Sequence, residues 1–393
     1  MTNSSEKALL PAGLTDGLPP HAAFEVDVRE RLVASFVARG FDRISPPLVE
    51  FEDNLLAGTG AAMTGQTFRL MDPISQRMMG LRADITPQAA RIATTRLAHE
   101  PRPLRLCYGG EVLRIRGTQL RPERQFSQAG AEMIGTADPR ADAEMVLMAV
   151  ETLALLGIRD IKVDLCQPTL VPQVMAALGI DGDAARDLRA ALDAKDAAEV
   201  KNLSTALGQD ARELFVKLLE ASGPSENVAP KIASLPLSDA AAEARDTFLE
   251  TVALIERADP ALDLTLDAVE NRGFEYHTGV TFTLFAPGVR GELGSGGRYL
   301  AGLTDGADSS DAEQATGFTL FLDSILRAVS VPESAPKIYL PEGTARATGE
   351  EMRAAGYRTL EGHCAGGEAE SEAARMKCTH ILQNGKPVPL GKI

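Results

Sequence analysis

Cysteine is scarce in this 393-residue chain, and the four present (Cys107, Cys166, Cys364 and Cys378) are scattered with no CxxC pair. That spacing argues against a disulfide framework or a zinc site and suits buried or free thiols in a reducing cytosol. Long apolar runs are also lacking: no stretch approaches the roughly 20 apolar residues that span a bilayer. The opening MTNSSEKALLPAGL has no basic segment followed by an apolar one, so it does not read as a signal peptide. Cations are outnumbered, 40 Lys and Arg against 55 Asp and Glu, for a net charge of −15. A field of that sign repels phosphate polyanions and counts against a nucleic-acid partner. Glycine-rich Gly291 to Gly302 lacks the spacing and the Lys-Ser/Thr ending of a P-loop. The expectation is a cytoplasmic protein with no membrane or nucleic-acid partner, no metal and no cofactor.

What is present is an ordinary globular composition, 44% hydrophobic and 24% charged, with length for two or three domains. Phe24, Val28, Leu32, Phe36 and Val37 recur at helical spacing and predict a helix that stops at Gly40. Phe41 to Phe51 follows as an extended segment, because Pro46-Pro47 forbids a helix. A hairpin is expected over 67–81, turning at Asp72-Pro73. Thr86-Pro87 then starts a helix, with a hydroxyl able to cap and a proline suited to the first helical position. Asp84 stands just before it, readable as a capping acid or as a group facing a pocket.

Asp138-Pro139 opens a further helix that ends at Gly157, and Ile161 to Cys166 alternates as a strand. Over 168–260 strand signals vanish and Ala, Leu, Asp and Glu dominate, which reads as a helical insertion between two parts of one core, 1–167 and 261–330. Residues 181–260 carry 16 acidic and 9 basic side chains, a surface better suited to protein or solvent than to nucleic acid. Residues 336–393 alternate strand, helix, strand, helix and hairpin, a small α/β unit.

The chain is organised around Leu104 to Gly135, LRLCYGGEVLRIRGTQLRPERQFSQAGAEMIG. Two alternating runs flank a loop rich in Arg, Gly and Pro, which predicts an antiparallel strand pair with one wet face. Gln128 and Glu132 point to the same side of the second strand. An amide and a carboxylate on an inner face need partners, so the pair reads as a satisfied polar patch or as ligand groups.

This stretch resembles motif 2 of the class II aminoacyl-tRNA synthetases in its histidyl form, with Phe126, Gln128, Glu132 and Gly135 in the family's places. Residues 21–51 resemble motif 1, which implies a homodimer core. Asp84 and Thr86 match in type the glutamate and threonine that hold the α-amino group of histidine there. Arg272-Gly273-Phe274-Glu275-Tyr276-His277-Thr278-Gly279 keeps most of a signature specific to the histidine branch, with His277 in the second aromatic place. There a guanidinium suits a carboxylate and the rings line an imidazole slot. Gly296-Gly297-Arg298-Tyr299 matches the floor of the amino-acid pocket, and Ala315 to Val329 resembles motif 3.

Two nucleotide-clamping arginines are read as missing. The one that grips the ATP α-phosphate is assigned to Gly109 of Tyr108-Gly109, and the one that stacks on adenine to Ser324, after the surviving acid Asp323. Losing one such donor typically costs about 100- to 1,000-fold in rate, although Arg114, Arg116, Arg121 or Arg124 could reach in from the loop. The histidine-binding set of Asp84, Thr86, Gln128, Glu132, Arg272, Tyr276 and His277 is kept. That profile is similar to the histidyl-tRNA synthetase paralogues that regulate short-form ATP phosphoribosyltransferase.

The resemblance implies an α+β fold: a class II synthetase-like antiparallel sheet flanked by helices, with a helical insertion and a shortened counterpart of the anticodon-binding domain. It also implies no catalysis by this chain and a partnership with the short catalytic subunit, which joins ATP to phosphoribosyl pyrophosphate in the first step of histidine biosynthesis. The homodimer core would sit within a hetero-oligomer, and histidine would be the feedback effector. A working histidyl-tRNA synthetase or a related amino-acid-activating ligase is the alternative, and either needs the nucleotide clamps.

Overall fold

Phe24, Val28, Leu32 and Phe36 fold onto one stripe of α1 (His21–Val37) and are buried there. Gly40 follows with φ +83°, the left-handed geometry in which a side chain would strain the end of the helix. The computed structural model describes residues 9–119, 121–270, 276–302, 312–363 and 368–391. It divides into two compact units, Met1–Ser330 and Val331–Ile393.

In the first unit, α1 leads to β1 (Asp42–Arg43), β2 (Val49–Phe51), α2 (Glu52–Leu55) and a 3-10 segment, Gly58–Gln66. The hairpin of β3 (Arg69–Met71) and β4 (Met78–Leu81) turns where expected, the Asp72 carboxylate accepting from the Ile74 and Ser75 amides at 3.1 Å each. Then come α3 (Thr86–Thr95), β5 (Leu104–Leu113) and β6 (Gln125–Ile134), the last two paired from Leu104↔Ile134 to Leu113↔Gln125. α4 (Pro139–Leu155) is capped by the Asp138 carboxylate, which accepts from Arg140 N at 2.9 Å, and β7 (Lys162–Cys166) follows.

Six helices occupy the next stretch: α5 (Leu170–Ala177), α6 (Gly182–Asp193), α7 (Ala197–Leu203), α8 (Gln209–Leu219), α9 (Ser225–Ala233) and α10 (Asp239–Ala258). They are interrupted by β8 (Ser222–Pro224), a strand that the composition does not signal because a three-residue Ser-Gly-Pro run has no alternation to read. β8 pairs with β9 (Asp263–Asp267). β10 (His277–Phe285), β11 (Gly294–Ala301), β12 (Glu313–Phe321) and α11 (Leu322–Ala328) complete the unit. Among the described residues the main sheet has nine strands in the order β1-β5-β6-β12-β11-β10-β7-β9-β8. Neighbours run antiparallel except β1–β5 and β7–β9.

One expectation for the central hairpin does not hold: β6 has no wet face, being buried from Phe126 to Ile134. Its odd-numbered side is covered by α1 and α11, with Phe36 packing edge-on against Phe318 at 5.4 Å. The even-numbered side meets α3, where Ile85 and Ala89 pack with Tyr108, Val112 and Phe126. Alternation in β6 therefore separates two kinds of interior rather than interior from water.

The second unit contains β13 (Lys337–Leu340), α12 (Arg346–Ala354), β14 (Arg358–Glu361), α13 (Ala369–Arg375), β15 (His380–Gln383) and β16 (Lys386–Pro389). Its sheet order is β14-β13-β15-β16, with β13 parallel to both neighbours. Tyr339 and Ile381 pack on Ala369 and Ala373, while Ile338, Leu340 and Leu382 meet Met352 on the other face. No helix among the described residues is long and apolar enough to cross a membrane.

Candidate functional site

Period two decides which side chains of the central hairpin meet. Tyr108 on β5 and Gln128 and Glu132 on β6 share the face toward α3, and Gly317 on β12 lies directly opposite Glu132. Glu132 is fully buried, with Tyr108 Oη donating to its Oε1 at 3.1 Å and Tyr299 Oη to its Oε2 at 2.9 Å. Burial pushes its carboxyl up to about 8, against the tyrosine and Thr86 hydroxyls, which favour the ionised form; the negative charge of Asp84 adds to the rise. Both tyrosines are themselves held well above their ordinary range by burial and stay neutral donors.

Asp84 combines its two possible roles. Its Oδ1 accepts from Thr86 N at 2.9 Å, as a capping acid does, and its Oδ2 accepts from Gln128 Nε2 at 3.4 Å. The Thr86 hydroxyl does not cap the helix. It turns inward to Tyr108 Oη at 3.0 Å, and the amides of Gln88 and Ala89, which a capping hydroxyl would serve, donate instead to Ile85 O at 3.0 Å each. The Tyr276 and His277 rings stack at 4.0 Å, and Tyr276 meets Tyr299 edge-on at 6.2 Å. Six of the seven expected ligand residues are thus brought to one region: Asp84, Thr86, Glu132, Tyr276 and His277 line a cavity of about 50 Å³, and Gln128 backs Asp84. Arg272 lies outside the described residues.

The cavity shares Asp84, Tyr276, Ser295 and Phe321 with an adjoining outer cleft of about 540 Å³. Among the described residues, five carboxylates line that cleft, Asp84, Asp164, Asp267, Glu270 and Glu292, against two guanidiniums, Arg114 and Arg121. Arg121 Nε donates to Asp323 Oδ2 at 2.9 Å and Nη2 to Glu292 Oε1 at 3.0 Å, and its guanidinium lies 3.9 Å from the centre of the Phe321 ring. Arg114 Nε donates to Ala83 O at 3.3 Å over the Phe126 ring, and burial weakens its hold on its proton. A triphosphate entering here would meet a carboxylate-rich wall and cations already engaged with protein acceptors.

The assignment of a lost clamp to Gly109 is corrected by geometry. A Cβ at position 109 would stand 2.9 Å from Val33 Cγ2 and 3.2 Å from Arg29 Cγ, on the α1 side of the sheet. No side chain there reaches the cleft, since Gly109 has the opposite parity to Tyr108. Arg114 has the matching parity and lines the cleft, and that parity was the signal in the sequence that marks it. Ser324 is buried, its hydroxyl accepting from Arg327 Nη2 at 3.1 Å, and beside it Arg121 stacks on Phe321.

Tyr299, expected on the floor of the pocket, completes the inner site together with Tyr108 and Gly317, which the sequence did not mark as site residues; each shares the parity of Glu132 or faces it across the ladder. Among the described residues no cluster of His, Cys, Asp and Glu could hold a metal ion. A groove of about 610 Å³ between α7 and α8 is larger than either compartment but is lined by exposed side chains such as Lys201, Arg212 and Glu213.

Residues 13–325 match the histidyl-tRNA synthetase family model. The ATP phosphoribosyltransferase regulatory subunit of Paramagnetospirillum magneticum is 51% identical over 382 residues, covering 97% of this chain and 98% of the relative. That of Rhodospirillum centenum is 48% identical, covering 98% and 96%. Among solved structures, a Bacillus halodurans protein described as an ATP phosphoribosyltransferase regulatory subunit/histidyl-tRNA synthetase superposes with TM-score 0.79 at 22% identity, over 94% of this chain and 96% of that one. A Nostoc histidyl-tRNA synthetase gives TM-score 0.76 at 17% identity, over 96% and 91%. At these identities the two structures speak for the fold alone.

Proposed function

Because the chain belongs to the ATP phosphoribosyltransferase regulatory subunits, a branch built on the histidyl-tRNA synthetase fold, we propose that it binds free histidine at Glu132 and transmits that state to a separate catalytic subunit. The observation that carries this reading is the contrast between the two compartments. The inner one keeps carboxyl and hydroxyl groups suited to an imidazole and an ammonium, whereas the described lining of the outer one has more carboxylates than the cations a nucleotide would need.

In this reading the imidazole lies at Glu132 between Tyr108, Tyr299 and the Tyr276–His277 stack, and the ammonium at Asp84 with Thr86 and Gln128. The inner cavity holds only part of such a ligand, so the carboxylate extends toward Arg114 in the outer cleft, with Arg272 as its second partner by family. The catalytic partner is the short-form subunit that joins ATP to phosphoribosyl pyrophosphate, and histidine acts as its feedback inhibitor through this chain. A homodimer core around α1, a cytoplasmic setting and a helical insertion over 168–260 belong to the same proposal. Coupling requires that histidine bind two states of the assembly with different affinity.

Calorimetry on Glu132→Gln tests the pocket: histidine binding should weaken by about tenfold or more, as expected for loss of a charge-assisted hydrogen bond. Unchanged affinity removes the assignment. The assembly is tested by co-purification with the catalytic subunit and titration of its activity with and without histidine. Histidine-dependent ATP–pyrophosphate exchange by this chain alone would instead identify an amino-acid-activating ligase.

A further inference from the structure

The connection between β5 and β6 is held from two sides. From inside, Arg121 is anchored to Asp323 and Glu292 across Phe321. From outside, the amino-terminal segment lies against it: Arg124 N donates to Gly13 O at 2.8 Å, and Arg124 Nη1 to Ala12 O at 3.2 Å. Arg124 joins the two sides, since its Nε donates to Arg114 O at 3.3 Å and its own carbonyl accepts from Arg114 N at 2.7 Å. The segment is shaped for this seat. Leu14 N closes a turn onto Pro11 O at 3.0 Å, and Gly13 sits at φ +79°, where a Cβ would stand 2.8 Å from Arg124 Cδ and 2.9 Å from Pro122 O. Pro11 and Ala12 are exposed, and so are Leu9, Leu10 and Leu18 on either side of the turn.

We propose that residues 11–14 form a strap whose seat on Arg124 holds Arg114 and Arg121 in the cleft, making the outer surface and the ligand cavity one switching unit. Three consecutive contacts, strap to Arg124, Arg124 to Arg114, and Arg114 to the wall that carries Asp84, lead from solvent to the ligand groups. Phe321, on which Arg121 rests, lines both compartments, so a displaced Arg121 also changes the mouth of the inner cavity. The strap rests in part on the histidine reading, because the ligand is what the cavity reports to it. Its mechanical half stands without that reading.

Hydrogen exchange of the full chain, with and without histidine, separates the two. In Gly13→Ala, whose Cβ collides with the seat, and in Arg124→Ala, which removes it, exchange over 113–125 should quicken by about tenfold or more. Histidine affinity should fall by at least about fivefold in both, and saturating histidine should slow exchange over 11–14 in the wild type, because coupling is reciprocal. Wild-type exchange over 113–125 in both variants, with 11–14 released, overturns the strap. Quickened exchange with wild-type histidine affinity overturns its link to the cavity. If the wild-type chain binds no histidine, the ligand reading fails and the exchange over 113–125 still decides the strap.

Discussion

Gly317→Ala is expected to abolish histidine binding and to destabilise the first unit by about 3 kcal/mol or more, the upper range for overpacking a core. The added Cβ would stand 1.8 Å from Glu132 Oε2 and 2.6 Å from Ala131 O. Retreat is blocked on both sides. The carboxyl is held by Tyr108 and Tyr299 with no exposure, and Gly317 is paired on both edges, with β6 and with β11. Either the carboxyl gives up its hydrogen bonds, at about 1–3 kcal/mol for each buried group left unmatched, or the centre of the sheet shifts. Urea unfolding measures the loss, and Gly65→Ala is the control, since its Cβ meets nothing within 4 Å. The double variant Gly317→Ala/Glu132→Ala should be less destabilised than the sum of the two single variants, because the atom that clashes is gone. Strict additivity would show that the clash is not what destabilises the single variant.

The stability of the wild type is expected to fall between about pH 4.5 and pH 8 through Glu132, and Glu132→Gln should remove that slope. The folded-state value, about 8, lies above the ordinary 4.5 of a glutamate, so the folded state binds this proton more tightly than the unfolded chain. The stabilisation is fully present below the ordinary value and is lost as pH rises through the folded one. A shift of that size is worth on the order of 5 kcal/mol at most. Asp142 and Asp323, also raised by burial against their arginines, act with the same sign, so the difference between wild type and variant isolates Glu132. Asp138, lowered to about 2 by Arg140, acts with the opposite sign but outside this window, at lower pH.

Glutamine keeps the shape and neutrality of the protonated acid and can still face two hydroxyls. The variant should therefore match the wild type near pH 5 and exceed it above pH 8. Parallel unfolding profiles for the two proteins would show that Glu132 is already ionised at neutral pH. Histidine binding carries a matching signature: near pH 5 the free imidazole is already a cation, which favours the carboxylate when it meets Glu132, so binding there should release a proton, whereas near pH 7 the imidazole takes up the proton that Glu132 gives up. Calorimetry in two buffers of different ionisation enthalpy detects it.

The elements and their order were legible along the chain because their signals are local. Four apolar residues at helical spacing made α1, Asp72-Pro73 turned the hairpin, and Asp138-Pro139 started α4. Gln128 and Glu132 could be placed on one face because a strand alternates with a fixed period. The same period, applied to Gly109 and Arg114, would have moved the cleft arginine to position 114. Residue types matched along the chain carry no record of the side of the sheet they face, which only the period of the strand supplies. β8 was illegible for the reason already given, and the water-free β6 because burial depends on what packs against a strand, which its own residues do not encode.

The amino-acid order by itself determined the class II architecture, the kinship with regulatory subunits, and the residue types available for a zwitterion. Only the folded chain decided that Tyr108 and Tyr299 close on Glu132, that Gly317 must lack a side chain, and that Arg121 lies across Phe321 bound to two carboxylates. Those contacts join residues up to 202 positions apart, as between Arg121 and Asp323. Their existence depends on strand order and register, which distribute neighbours in space with no counterpart in any single stretch of chain.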